Sequence, residues 1–147
     1  LLLCESLPEI VRAQLVHIQY DLFDMGAALS LPGYAAVTEL HLTTLEEWLE
    51  AWNATLPPLK EFILPAGTRP ACLTHMARCI CRRAERQFVV LLNTSQIKVI
   101  LLQYLNRLSD YLFILSRVLN RQNAGSEVYW QTREPIKSQT HSNQPKN

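Results

Sequence analysis

Residues 62–86 read FILPAGTRPACLTHMARCICRRAER, and this stretch decides the fold. An apolar, proline-flanked segment leads at Pro70 into a helix-forming run that carries four arginines and one glutamate. Residues at i, i+4 and i+7 share one helix face, and Arg78, Arg82 and Glu85 have this spacing. We therefore predict a long helix with a polar stripe along one face. Arginine suits phosphate because its planar guanidinium offers a fork of hydrogen-bond donors.

A second stripe lies in residues 104–119, which read YLNRLSDYLFILSRVL. Asn106, Asp110 and Phe113 repeat the spacing on an otherwise apolar helix. Because buried polar groups need partners, we expect the two stripes to meet at one site that handles a polyphosphate beside a large apolar ligand. Two alternatives stay open. The arginines could line a solvated face, or Asn106 and Asp110 could join the arginines in a purely structural polar network.

The composition is that of one globular domain. The chain has 147 residues, is 48% hydrophobic and carries a net charge of +1 from 14 basic and 13 acidic residues. That balance gives no electrostatic footprint for nucleic acid, and no run of about 18 apolar residues predicts a membrane span. We assign residues 1–130 to a single helical-bundle domain and the polar residues 131–147 to a flexible tail.

The four cysteines do not have the spacing of a disulfide framework, which indicates a reducing compartment. Cys72, His75 and Cys79 share one helix face, but a closed zinc site needs about four ligands that converge from different directions. We therefore expect these side chains to be structural and expect no zinc.

Helical periodicity covers most of the chain and predicts four long helices. Their predicted ranges are 8–29, 44–54 and 70–92, with the last helix following residues 93–95 and ending near Asn120. Thr44 is the predicted N-cap of the second helix, with Glu47 closing a capping box. Residues 1–7 resemble the end of a further helix, and no period-two alternation predicts a strand. The expected fold is all-α, an up-and-down five-helix bundle whose first helix is only partly present.

Three segments together resemble the PduO-type ATP:corrinoid adenosyltransferases. They are LPPLKEFILPAG at residues 56–67, ARCICRRAER at 77–86 and YLNRLSDYLFILSR at 104–117. Residues 12–30, RAQLVHIQYDLFDMGAALS, are similar to that family's second helix, so the resemblance covers about residues 12–130. It implies a ferritin-like helical bundle that forms a homotrimer with active sites between subunits.

The implied reaction transfers the 5′-deoxyadenosyl group of ATP to the cobalt of cob(I)alamin and gives adenosylcobalamin and triphosphate. The resemblance implies that Mg²⁺ accompanies ATP and that a cobalamin reductase supplies the electron. An adenosylcobalamin-dependent mutase or dehydratase would be a further functional partner. The expected compartment is the bacterial cytoplasm, with the mitochondrial matrix as the alternative.

The resemblance also assigns residues. The implied ATP-binding residues all lie on the two striped helices: Arg78, Arg82, Glu85, Asn106 and Asp110. Glu85 would lie near Mg²⁺ bound by the phosphates. From the residues alone, the apolar segment 62–65 either plugs the end of the core or presents an aromatic ring to a flat apolar ligand. The resemblance implies that Phe62 and Phe113 contact the corrin, and that Phe62, Arg82 and Arg78 are the catalytic residues.

In family members, a Gly/Thr/Lys-containing ATP loop and an acidic residue that pairs with the arginine at position 78 precede the matched region. The chain begins after both, and we expect the natural protein to be longer. Two functions other than an adenosyltransferase remain as alternatives. One is a non-catalytic carrier that delivers adenosylcobalamin to a mutase, and the other is a purely structural bundle.

Overall fold

The computed structural model describes residues 6–31, 33–34, 37–94 and 98–132. Within these ranges the chain forms four α-helices, and the only β-type pairing is an isolated antiparallel bridge between Ile63 and Tyr129. The helices are α1 (Glu9–Ser30), α2 (Glu39–Asn53), α3 (Arg69–Thr94) and α4 (Val99–Gln122). The all-α prediction is confirmed. The predicted fifth helix falls mainly on residues 1–5, and most of the predicted tail on residues 133–147, all outside the described residues.

The helix α4 is the centre of the molecule. It packs against both α2 and α3, and every residue from 114 to 120 is buried. Its most deeply buried side chains recur at helical spacing, namely Tyr104, Leu108, Tyr111, Leu115 and Leu119. A helix that is apolar around most of its circumference belongs in the interior, which is why the other elements surround α4.

Hydrogen bonds attach α1 to this core and fix its direction. The Tyr104 hydroxyl donates to Asp21 Oδ2 over 2.6 Å, and the Tyr111 hydroxyl donates to Gln14 Oε1 over 2.9 Å. Residue numbers fall along α1 as they rise along α4, so these two helices are antiparallel. Cross-helix contacts also make α3 antiparallel to α4, since Arg78 lies against the Phe113 ring whereas Glu85, further along α3, contacts Asn106, which comes earlier on α4. The predicted up-and-down order agrees with these directions.

The predicted start of α2 is wrong by six residues, nearly two turns. The helix begins at Glu39 with Thr38 as N-cap, not at Thr44. The Thr38 N–H donates to His41 Nδ1 over 3.2 Å, so a histidine takes the place that glutamate holds in the usual capping box. The usual capping box has glutamate or glutamine three residues after the N-cap, and Thr44 with Glu47 fits that pattern, so the prediction fell on Thr44.

The connection between α2 and α3 pairs with the segment that follows α4. The Leu64 N–H donates to Val128 O, and the Trp130 N–H donates to Phe62 O, each over 2.8 Å. The pairing covers only three residues on each side, 62–64 and 128–130, which is too short to give a period-two sequence signal. Among the residues described, no helix has both the length and the apolar character needed to cross a bilayer.

Candidate functional site

The two predicted stripes meet where α3 faces α4. Arg82 Nη1 donates to Glu85 Oε2 over 2.6 Å, and Asn106 Nδ2 donates to Glu85 Oε1 over 2.9 Å. Glu85 thus orients an arginine on its own helix and an amide on the facing helix. If the polar residues formed only a structural network, Asn106 was expected to contact an arginine directly. Its partner is instead Glu85, whose carboxylate lies between Asn106 and Arg82.

Arg78 lies one turn before Arg82, in a different environment. Its guanidinium carbon stands 5.3 Å from the centre of the Phe113 ring, a cation–π contact. Its Nε is buried and has no hydrogen-bond partner within the part of the chain that the structure describes. A buried donor without an acceptor is costly, so Arg78 is a group that a further acceptor would stabilise.

Next to Phe113 lies His75, with ring centres 6.5 Å apart. Burial lowers the pKa of His75, and the positive charge of Arg78 lowers it further. Histidine at this position is therefore kept neutral, which leaves Arg78 as the cation on this side of the aromatic ring.

One open cavity of about 960 Å³ joins these helices to the α2–α3 connection and to the end of the described chain. Four of the predicted site residues line it: Phe62, Arg78, Asp110 and Phe113. They come from three separate segments of the sequence. The sequence did not single out Lys60, Gln131 or Thr132, which also line the cavity.

Phe62 is 82% exposed, although its side chain is a large aromatic ring. Its backbone is fixed by the hydrogen bond from Trp130 N to Phe62 O. The interpretation in which segment 62–65 plugs the end of the core therefore does not hold for the Phe62 ring. An exposed aromatic ring at the rim of a large cavity is typical of a surface that binds an apolar ligand.

Asp110 contacts Arg107, an arginine that belongs to neither predicted stripe. Arg107 Nη1 lies 3.4 Å from Asp110 Oδ2, and Arg107 Nε donates to Glu46 Oε1 over 3.0 Å. Glu85 and Asn106 line a smaller pocket of about 330 Å³ between α2, α3 and α4, which Arg107 and Glu46 also line. The predicted residues thus divide between two pockets, except Arg82, which lines neither of them.

Cys72, His75 and Cys79 do not converge. The Cys72 thiol lies 3.6 Å from Gly67 O, His75 is buried and Cys79 is exposed. Among the described residues no three histidine, cysteine or acidic side chains are grouped as metal ligands. This helix face therefore adds no metal-binding cluster to the site.

Fold and site together define an all-helical bundle protein with an arginine–carboxylate–amide stripe beside an aromatic-lined cavity. The chain belongs to the cobalamin adenosyltransferase family, since a sequence model of that family matches residues 1–119. The resemblance inferred from the three motifs is confirmed.

Two curated relatives show the extent of the similarity. The cobalamin adenosyltransferase of Cupriavidus metallidurans is 54% identical over 132 residues, which cover 89% of this chain and 72% of the relative. The corrinoid adenosyltransferase of Bacillus subtilis is 41% identical over 126 residues, which cover 84% of this chain and 65% of the relative. The chain therefore spans about two thirds to three quarters of the length of these proteins.

Solved structures of a PduO-type ATP:corrinoid adenosyltransferase from Lactobacillus reuteri have the same fold. A phenylalanine-to-alanine variant complexed with cobalamin and ATP superimposes with a TM-score of 0.82 at 34% identity, covering 88% of this chain and 75% of the other. An arginine-to-lysine variant complexed with ATP gives 0.79 at 36% identity, with coverage of 84% and 72%.

Proposed function

We propose that this chain forms an ATP:corrinoid adenosyltransferase, which transfers the 5′-deoxyadenosyl group of ATP to the cobalt of cob(I)alamin. The products are adenosylcobalamin and triphosphate. The observation that carries the proposal is the shared cavity of Phe62, Arg78, Asp110 and Phe113, adjoining the Arg82–Glu85–Asn106 contacts. Family membership and relatives that are complexed with cobalamin and ATP support it.

The nucleotide is assigned to the polar stripes. In the transfer step the cobalt electron pair forms a bond to C5′, and the C5′–O bond breaks with its electron pair leaving on triphosphate. Arg82 and Arg78 would hold that growing negative charge, which is catalysis by positioning and electrostatics. The hydrogen bonds that Arg82 and Asn106 donate to Glu85 support this role because they fix both donors before ATP arrives.

The donor set supports Mg²⁺ bound through ATP rather than in a protein cage. Both oxygens of Glu85 already accept hydrogen bonds, from Arg82 and from Asn106. Mg²⁺ usually keeps several waters and binds nucleotide phosphates, needing only one or two carboxylates. Glu85 would therefore meet the hydrated ion at its outer shell, and Asp110 would lie beside the nucleotide.

The corrin is assigned to the large cavity. Phe62 would press an apolar ring against the lower face of the corrin, and Phe113 would contact its edge. Such a ring displaces the lower ligand and leaves cobalt four-coordinate, which removes electron donation and makes reduction to Co(I) easier. Exposure of Phe62 and the cavity volume of about 960 Å³ support a ligand of this size.

The remaining parts of the proposal follow the resemblance. The protein would act as a homotrimer with sites between subunits, in the cytoplasm of a bacterium. A cobalamin reductase would supply the electron, and a cobalamin-dependent mutase or dehydratase would take the product. Residues 1–130 would form the domain and residues 131–147 the tail. Exposed apolar side chains on α1 and α3, such as Leu22 and Ile80, support an assembly of subunits.

The test is product formation by the full-length protein with ATP, Mg²⁺ and chemically reduced cobalamin, followed by visible absorbance. Wild type and Arg83→Ala should form adenosylcobalamin, because Arg83 is an exposed neighbour outside the site. Arg82→Ala should lose about two to three orders of magnitude in rate, as expected when a charge-stabilising donor is removed. Equal activity of Arg82→Ala and wild type would contradict the assigned stripe. A wild type that binds cobalamin without product would favour the carrier.

A further inference from the structure

Two buried polar side chains near the end of α4, Arg117 and Asn120, hydrogen-bond to the connection that carries Phe62 and to the segment that follows α4. Because the Phe62 ring is 82% exposed, packing does little to fix its position. Its position depends on the backbone of residues 57–68 and on the segment 126–130 that pairs with it. The contacts that fix those two segments therefore determine the position of the Phe62 ring in the cavity.

The first is Arg117, whose side chain is 3% exposed. Its Nε donates to Glu127 Oε1 over 2.6 Å, and its Nη2 donates to Pro57 O over 2.9 Å. One guanidinium thus fastens the beginning of the Phe62 connection and the beginning of the pairing segment to the same helix. A buried ion pair of this kind is weak evidence for added stability, but its geometry is restrictive.

The second is Asn120, one turn further along α4. Its Oδ1 accepts from Thr68 N over 2.9 Å, and its Nδ2 donates to Ser126 O over 3.1 Å. Asn120 therefore also fixes the C-terminal end of the connection that carries Phe62, at Thr68, and the start of the pairing segment, at Ser126. Both ends of the connection are held by buried residues that do not line the cavity.

We propose that Arg117 and Asn120, with Glu127, are positioning residues that set the height of Phe62 below the corrin. They act through the backbone bonds Leu64 N–Val128 O and Trp130 N–Phe62 O. The inference rests on the proposed function, because it assigns these residues to the lower-ligand displacement that eases cobalt reduction. Loosening them should impair reduction while leaving the arginines of α3 in place.

The cleanest perturbation is Leu64→Pro, which deletes one backbone N–H of the pairing without touching a buried charge. Leu64→Ala is the matched control, since it shortens the same partly exposed side chain and keeps the N–H. Arg117→Ala and Glu127→Gln test the buried pair directly, with exposed Arg121→Ala as their control on the same helix. Leu64→Pro keeps the test decisive if removal of the buried arginine prevents folding.

The readouts are the visible spectrum of cob(II)alamin bound to the full-length protein with ATP, and kinetics with two electron sources. Leu64→Pro should retain the lower ligand on bound cob(II)alamin and lose about tenfold to a hundredfold in kcat with a reductase, since small misplacements have effects of that size. KM for ATP should stay at the wild-type value. Supplying cob(I)alamin chemically should restore the rate, because reduction is then bypassed.

A Leu64→Pro protein whose spectrum and reductase-dependent kcat match those of Leu64→Ala would overturn the inference. So would a rise in KM for ATP as large as the fall in kcat, which would indicate general disorder of the site. Failure of the proposed function gives a different result, because wild type itself would then form no adenosylcobalamin from chemically supplied cob(I)alamin.

Discussion

Two tyrosines of α4 allow one substitution to be made in two different hydrogen-bonding environments. Tyr104 and Tyr111 are both 0% exposed, and each donates its hydroxyl to a residue of α1. Asp21 Oδ2 accepts from Tyr104 over 2.6 Å, whereas Gln14 Oε1 accepts from Tyr111 over 2.9 Å and also from Trp52 Nε1 over 2.8 Å. Tyr→Phe removes one buried oxygen at either position.

The acceptors make the two costs unequal. Burial raises the pKa of both tyrosines, and the bond to Asp21 raises that of Tyr104 further, so both hydroxyls act as donors at neutral pH. A hydrogen bond to a charged group contributes about 1.5–3 kcal/mol, so Tyr104→Phe should cost about 3 kcal/mol because a buried carboxylate oxygen loses its donor. Tyr111→Phe should cost about 1 kcal/mol, since Trp52 still donates to Gln14.

Urea unfolding of both variants at one protein concentration measures the difference, because the apparent stability of an assembling protein depends on concentration. The expected gap is about 2 kcal/mol, or about 4–8 °C in Tm for a chain of this size. Equal losses, or a larger loss for Tyr111→Phe, would refute the claim that the remaining donors of the acceptor decide the cost.

Three further predictions concern the same framework. Gly67→Ala should destabilise the protein by about 2 kcal/mol or more, because φ at this residue is 123° and a Cβ would overlap the Asn120 amide, whereas helical Gly26→Ala, whose Cβ would meet nothing within 4 Å, should stabilise it by about 0.5–1 kcal/mol. Urea unfolding of both variants checks these opposite signs, and a stabilising Gly67→Ala would contradict the geometry. Since folding lowers the pKa of His75, the free energy of unfolding of wild type should fall as pH drops below about 6.5, where the unfolded chain binds the proton more readily. The His75→Gln variant should lose less of its free energy of unfolding between pH 7.5 and about 5.5, and an unchanged pH dependence would count against a buried neutral imidazole. Mainly because it is buried, the Cys81 thiol has its pKa raised to about 11, so maleimide at neutral pH should modify exposed Cys79 and spare Cys81. Peptide mass spectrometry of the labelled protein measures this, and prompt labelling of Cys81 in folded protein would disprove it.

The helices and the stripes were predictable because both depend on local periodicity. The spacing of Arg78, Arg82 and Glu85 places them on one face of any helix, whatever surrounds it. The facing pair Asn106 and Asp110 follows from the same rule. The family resemblance then added roles that spacing alone does not supply.

The surroundings of Phe62 were not predictable, because they depend on contacts between distant parts of the sequence. Its backbone pairs with Trp130, and Arg117 joins Pro57 to Glu127 over 60 and 10 residues of sequence. Such contacts leave no periodic trace. The start of α2 was missed for a local reason, since His41 occupies the position where glutamate is expected.

In the proposed mechanism the large cavity binds the corrin and the adjoining polar stripe binds ATP. A crystal structure of the full-length protein with ATP and cobalamin tests it most directly. We expect the lower face of the corrin to lie against Phe62, its edge near Phe113, and triphosphate oxygens within hydrogen-bond distance of Arg82. A corrin bound away from Phe62, or a triphosphate held without the arginines of α3, would contradict it.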